Sequence, residues 1–195
     1  MNSSIWSWVW GILFAVTLTT TIERHYSYSD CKVRYAEAVR HMIKPISNEK
    51  SIIEEYIKLH NKALGRDYVG YLADTYIEAG KKYKISPFLL VAISLPESGF
   101  DSTAISHAGA IGIMQIMPFW VDYLDFVENS AALHDPYINI HAGAYIISHY
   151  INTCGGLREG VRCYHGGPRA IVTPKQITLE YEYTVISKYK QFRSI

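Results

Sequence analysis

One glutamate stands at the edge of a long apolar run. Glu97 lies in "LPESGF", Leu95–Phe100, directly after "SPFLLVAIS". A carboxyl group among neighbours such as Ile93, Leu95 and Phe100 is penalised when ionised, so its pKa rises and it holds a proton near neutral pH. The negative end of a helix dipole acts in the same direction. A carboxyl kept protonated is what a general acid requires. The other reading of this position is a solvated glutamate in the loop where a helix ends.

A second stretch, "ISHAGAIGIMQIMP", runs from Ile105 to Pro118. Gly109 and Gly112 allow close backbone approach or a positive φ. Gln115 is a lone amide among Ile113, Met114, Ile116 and Met117. A buried amide needs partners, which here are either a substrate hydroxyl or amide or the backbone of its own turn.

These residues need a scaffold, and the sequence writes it in helices. Ser86 is placed to cap a helix with Pro87 at its first position, and "FLLVAIS" is apolar all round, so this helix is expected to be buried. Pro96 would cost about 3 kcal/mol in a helix interior, but little in a final turn that Gly99 is about to close. Upstream, Asp67 is the expected N-cap of a helix whose face is Tyr68, Leu72, Tyr76, Ala79 and Tyr83. "SNEKSIIEEYIKLHNKALG" predicts an earlier helix, capped by Ser47 or Asn48 and ended by Gly65. Asp135 and Pro136 open another in "HDPYINIHAGAYIISHYI", and "TLEYEYTVISKYKQF" is the last. No stretch alternates as a strand does, so the chain reads as all-α, with helices packed around the one that ends at Glu97.

Composition narrows the function. With 19 basic and 18 acidic residues and a net charge of +1, there is no basic excess for nucleic acid. A hydrophobic fraction of 49% excludes a disordered chain. His134, His141 and His149 share one region, but their spacing fits no metal pattern, and solvated helix histidines are expected there.

The front of the chain differs from the rest. Ile5–Ile22 is uncharged over 18 residues, long enough as a helix to span about 27 Å. Trp6, Trp8 and Trp10 crowd one end like an interfacial belt. A basic leader and an Ala-x-Ala site are missing, so an uncleaved membrane anchor is expected over residues 1–24, with a signal sequence as the alternative. Residues 25–65 then form either a helical stalk or an extra helical layer, and 66–195 the main domain. Arg24, Lys32, Arg34 and Arg40 after the anchor would by themselves hold the domain in the cytoplasm.

The spacing of "ESGF" and "AISHAGAIGIMQIMP" resembles the signature of the lytic transglycosylases with an SLT domain, related to goose-type lysozymes. Glu97, Ser98, Phe100, Ser106, Gly109, Ala110, Gly112, Met114, Gln115, Met117 and Pro118 fill that pattern. Asp135, Pro136, Asn139, Ile140 and Gly143 match a second block, with Tyr145 displaced by one residue. "CYHGGP", Cys163–Pro168, resembles a third, with His165 for the usual asparagine and Cys163 for alanine. The closing block is reduced to Tyr183 in "YEYTV".

The resemblance implies a lysozyme-like helical domain that needs no cofactor or metal and cleaves the β-1,4 bond between N-acetylmuramic acid and N-acetylglucosamine in peptidoglycan. It implies Glu97 as the catalytic acid, and Ser106, Gln115, Met117, Tyr164 and His165 as residues that hold the sugar. A water-using muramidase, or a weakly catalytic wall-docking part of a secretion or phage machine, are the alternatives. The domain would then face the cell wall from the periplasm, against the charge rule above, or belong to a virion. In that oxidising compartment, Cys154 and Cys163 are expected to bridge the short loop "GGLREGVR", bracing the approach to Tyr164.

Overall fold

The computed structural model describes residues 46–192, so the predicted anchor and the segment up to residue 45 lie outside the described residues. The described part contains six α-helices joined by 3-10 turns, and its extended backbone is limited to isolated bridges pairing Ile111 with Ile105 and Ile116. Among the described residues, no helix is long and apolar enough to cross a membrane.

Helix α1, Ile46–His60, lays Ile53 and Ile57 into the core. It ends five residues earlier than the expected stop at Gly65. Asn61 explains this: its amide donates to the carbonyl of Gly99 at 3.0 Å and its oxygen accepts from the N–H of Ala63 at 3.3 Å. A side chain that bonds nearby backbone offers the chain an exit from the helix. Gly65 instead becomes the N-cap of α2, Arg66–Tyr83, and Asp67 sits in the first turn, where its charge complements the dipole. Val69, Leu72, Ala73, Tyr76 and Ala79 form the buried face of α2.

Helix α3, Pro87–Ser98, is the centre of the core. Leu89, Leu90, Val91, Ala92, Ile93 and Ser94 are all buried. Ser86 occupies the N-cap position, but its hydroxyl makes no capping bond there; its carbonyl accepts from Leu89 N–H at 3.0 Å. Pro96 sits exposed in the last turn. Two consecutive left-handed residues, Gly99 with φ 62° and Phe100 with φ 68°, then swing the chain away. That conformation is strained for phenylalanine. Full burial of its ring, edge-on to Tyr56, offsets the strain.

Helix α4, Pro136–Cys154, begins as expected, with Asp135 accepting from Ile138 N–H at 3.0 Å. It packs against α2 and against α5, Leu157–Gly166. Helix α5 corrects the expectation of a loop between the cysteines. Gly160 hides this helix in the sequence, since glycine weakens helices. Packing requires that glycine: a Cβ there would meet Ile151 Cγ1 of α4 at 2.7 Å. The disulfide Cys154–Cys163 is present and ties the end of α4 to the last turn of α5. His141 is a further correction. His134 and His149 are exposed, but His141 is only 1% exposed, held between the rings of Tyr83 and Tyr137. The cause is that α4 is buried over most of its circumference.

Helix α6, Gln176–Phe192, closes the domain over α3 and α5. Its buried Glu182 takes hydrogen bonds from Arg158 and, at 2.6 Å, from Nε of Arg162. A charge that deep is tolerated because both oxygens are paired. The α5–α6 contact thereby has a fixed register.

Candidate active site

Glu97 projects from the last turn of α3 toward α6. Its Oε1 accepts a hydrogen bond from the hydroxyl of Tyr181 at 2.6 Å. Burial pushes the Glu97 carboxyl up to about 7, and the bond from Tyr181 pulls the other way without cancelling the rise. Burial and the charge of Glu97 hold the Tyr181 phenol well above its ordinary range, so it stays a donor.

Tyr164, from the last turn of α5, lies beside them. Burial, and next the nearby Glu97 charge, raise its phenol as well. Its hydroxyl donates to the carbonyl of Met114 at 2.8 Å, which fixes α5 to the Gly-rich loop. Ser98, the residue after the glutamate, anchors the same loop by donating to the carbonyl of Ile113 at 2.7 Å.

The loop is a compact device of its own. Ile111 and Ile116 exchange two backbone bonds of 2.9 Å, and the turn between them needs Gly112 at φ 80° and Gln115 at φ 51°. Asn139 of α4 is its hub. The Asn139 amide donates to the carbonyls of Ile111 at 2.8 Å and Leu133 at 2.7 Å, and its oxygen accepts from Met114 N–H at 2.7 Å. A Cβ on Gly112 would come within 2.8 Å of Asn139 Cγ, so only glycine lets α4 approach.

The expected sugar-holding residues fall into two groups. Tyr164 and Glu97 come together. Gln115 uses its amide on its own loop, donating to Gly112 at 2.9 Å and Ala104 at 3.3 Å, and Ser106 accepts from Ala110 N–H at 3.0 Å. Met117, half-buried, ends the loop and leads into the 3-10 turn Pro118–Tyr123. His165 is exposed at the rim, with its ring stacked on Tyr181 at 4.4 Å and Nδ1 3.4 Å from the Thr178 hydroxyl. Partial burial lowers its pKa, which favours the neutral imidazole.

The tyrosine of α6 at the site is Tyr181 and not Tyr183, which is 74% exposed. Two residues on a helix point to opposite sides, and the buried stripe of Thr178, Tyr181 and Val185, at helical spacing, carries the signal that finds Tyr181. Asn139 was legible only as part of a motif, and Glu182 with its two arginines gave no signal as a site support.

Comparison with known proteins decides the family. The family model of the transglycosylase SLT domain matches residues 74–185, a range that includes Glu97, Asn139, Tyr164 and Tyr181. The chain belongs to the transglycosylase SLT-domain family. It is similar to the invasion protein IagB of Salmonella typhimurium, at 31% identity over 117 residues, covering 57% of this chain and 71% of that protein. It is also 31% identical over 94 residues to the transglycosylase of Enterobacteria phage PRD1, covering 48% of this chain but only 34% of the phage protein. Among solved structures, an inactive mutant of the lytic transglycosylase Slt from Pseudomonas aeruginosa shares the fold, with a TM-score of 0.56 at 24% identity over 62% of this chain and 24% of that one. The SLT-domain assignment accounts for the helical architecture and for the glutamate at the end of its central helix.

Proposed function

We propose that the chain is a peptidoglycan lytic transglycosylase, cleaving the β-1,4 bond between N-acetylmuramic acid and N-acetylglucosamine and leaving a 1,6-anhydro end. The observation that carries this reading is the largely buried carboxyl of Glu97, whose pKa is raised to about 7 and whose bonded neighbour is a phenol rather than a second carboxylate. Glycosidases that use water as nucleophile ordinarily need two carboxyl groups. Asp101, the one other carboxylate between Ser98 and Met117, is exposed and accepts from the N–H and hydroxyl of Thr103 at 2.8 and 2.7 Å.

In this mechanism Glu97 gives its proton to the glycosidic oxygen as the bond to C1 breaks. The resulting carboxylate, steadied by Tyr181, takes the proton of the muramic acid C6 hydroxyl. That oxygen closes on C1, and Glu97 is restored in its acid form. Ser106, Gln115, Met117, Tyr164 and His165 line the path of the sugar, the first two shaping the loop, Tyr164 lying beside the acid and His165 stacked on Tyr181. The relatives named for a phage and for invasion support a role in opening the wall locally for such a machine. We further place the domain, residues 66–195, on the wall side of a membrane anchor at residues 1–24.

Mass spectrometry of peptidoglycan digested by the parent and by Glu97→Gln tests the activity. Anhydro ends from the parent and at least a hundredfold slower release by the variant are expected. Reducing ends alone would establish a muramidase, and equal release by both proteins would remove Glu97 from the chemistry.

A further inference from the structure

His165 stands where the related motif has asparagine, and it brings a flat ring to the rim of the site. That ring stacks on Tyr181, with centroids 4.4 Å apart and planes 26° apart. Tyr181 in turn donates to Oε1 of Glu97 at 2.6 Å. Two direct contacts therefore join the histidine to the acid. An asparagine side chain has no ring with which to make the first of them.

The backbone is arranged to bring the imidazole there. Gly166 follows it, and a Cβ at that position would meet Ala170 Cβ at 2.9 Å and Thr178 Oγ1 at 3.2 Å. Glycine thus lets the end of α5 close onto α6. Thr178 and Tyr181, three residues apart, share the buried face of α6. The imidazole touches both: Nδ1 lies 3.4 Å from the Thr178 hydroxyl while the ring lies on the phenol. About one turn earlier in α5, Arg162 donates at 2.6 Å to Glu182, the neighbour of Tyr181. That ion pair fixes the register of the two helices, and with Arg158 it occupies the Glu182 carboxylate.

Exposure shows what the ring does. Tyr181 is 9% exposed, whereas His165 is exposed, so the histidine is the layer between the phenol and solvent on that face. A buried phenol packed against an imidazole has fewer orientations open to it, and its hydroxyl stays aimed at Glu97. Burial, rather than a neighbouring charge, lowers the proton affinity of His165. The ring is therefore predominantly neutral at and above the pH at which Glu97 ionises.

We propose that His165 is a positioning residue: its imidazole, stacked on Tyr181, holds the phenol in line for Glu97. It rests on the acid role of Glu97 proposed above and gives the histidine a task distinct from holding sugar. A sugar contact would use the ring nitrogens, whereas positioning uses the face of the ring.

Two variants of the full-length protein separate these tasks. His165→Asn keeps a polar side chain but lacks a ring, and His165→Phe keeps a ring but lacks polar atoms. Losing the stack loosens the bond that lowers the Glu97 pKa. His165→Asn should therefore move the alkaline limb of kcat/KM up by about half a pH unit and cut kcat about threefold. His165→Phe should return the limb to the parent's position. In a Tyr181→Phe background, His165→Asn should move the limb no further. A limb that His165→Asn leaves in place, moves to lower pH, or moves equally in both backgrounds overturns the proposal. Carboxyl-carbon NMR of glutamate-labelled protein, with Glu97→Gln to assign the signal, reads the same titration without substrate. A titration that shifts with His165→Asn while the parent releases no anhydro products would refute the catalytic function alone. Anhydro products from the parent with a titration unmoved by His165→Asn would refute the positioning role alone.

Discussion

The hydroxyl of Tyr181 lies 2.6 Å from Oε1 of Glu97, joining residues 84 positions apart in the chain. The two come from helices α3 and α6, which pack directly on one another. Burial drives the Glu97 carboxyl toward its acid form, and Tyr181 moderates that drive by stabilising the carboxylate. The pair therefore sets both the proton affinity and the orientation of the Glu97 carboxyl.

Activity should fall as pH rises through about 7, where Glu97 loses its proton. Tyr181→Phe removes the interaction that lowers the Glu97 pKa, so the alkaline limb of kcat/KM should move to higher pH. The rate on the plateau should drop about tenfold as the carboxyl loses its orientation. Profiles of kcat/KM against pH for parent and variant decide it; a limb that moves to lower pH would contradict the assigned role of Tyr181.

The same shift has a signature in stability. The folded pKa of about 7 lies above the ordinary 4.5, so the native state binds a proton more tightly than the unfolded chain does. Stability should decline as pH rises from about 4.5 to about 7, by up to about 3 kcal/mol. Glu97→Gln has no such proton to lose. It should match the parent in acid and exceed it above pH 7, as read by urea unfolding across the range.

Asn139 makes two bonds to the Gly-rich loop, at 2.7 and 2.8 Å, and a third, at 2.7 Å, to the carbonyl of Leu133. Asn139→Ala should cost about 3 kcal/mol, because the Ile111 and Leu133 carbonyls and the Met114 N–H would lose their partner. Activity should fall beyond the loss in folded protein, since Met114 also receives the hydroxyl of Tyr164. Thermal melting read together with turnover separates the two effects.

The disulfide closes a loop between residues nine apart, from Cys154 to Cys163. Chain entropy gives such a closure about 2.5 kcal/mol. Replacing both cysteines with alanine should lower the unfolding free energy by that order, and the parent should gain two free thiols on reduction. Because Tyr164 follows Cys163 directly, turnover should fall at temperatures where the double variant is still folded.

Much of this architecture was legible in local chemistry. Pro87, Gly99, Asp135 and Pro136 mark helix ends through backbone rules that act over one turn, and all four stand where those rules place them. The apolar run before Glu97 announced a buried helix, and burial is what raises the carboxyl. Local rules failed where a competing bond or contact came from elsewhere. Helix α1 stops at His60 because Asn61 reaches Gly99. Helix α5 survives its glycine because Ile151 lies against it. His141 is buried because its neighbours on α4 are.

By itself the sequence marked Glu97 as the candidate acid and determined the Gly-rich loop and the helical scaffold, since residue type and spacing along the chain suffice for those. Tertiary structure alone decided which tyrosine meets Glu97 and that Glu182 is paired with both Arg158 and Arg162. Each of these depends on the angular register of one helix against another. That register is set by the packing of many side chains at once, and no short stretch of sequence contains it.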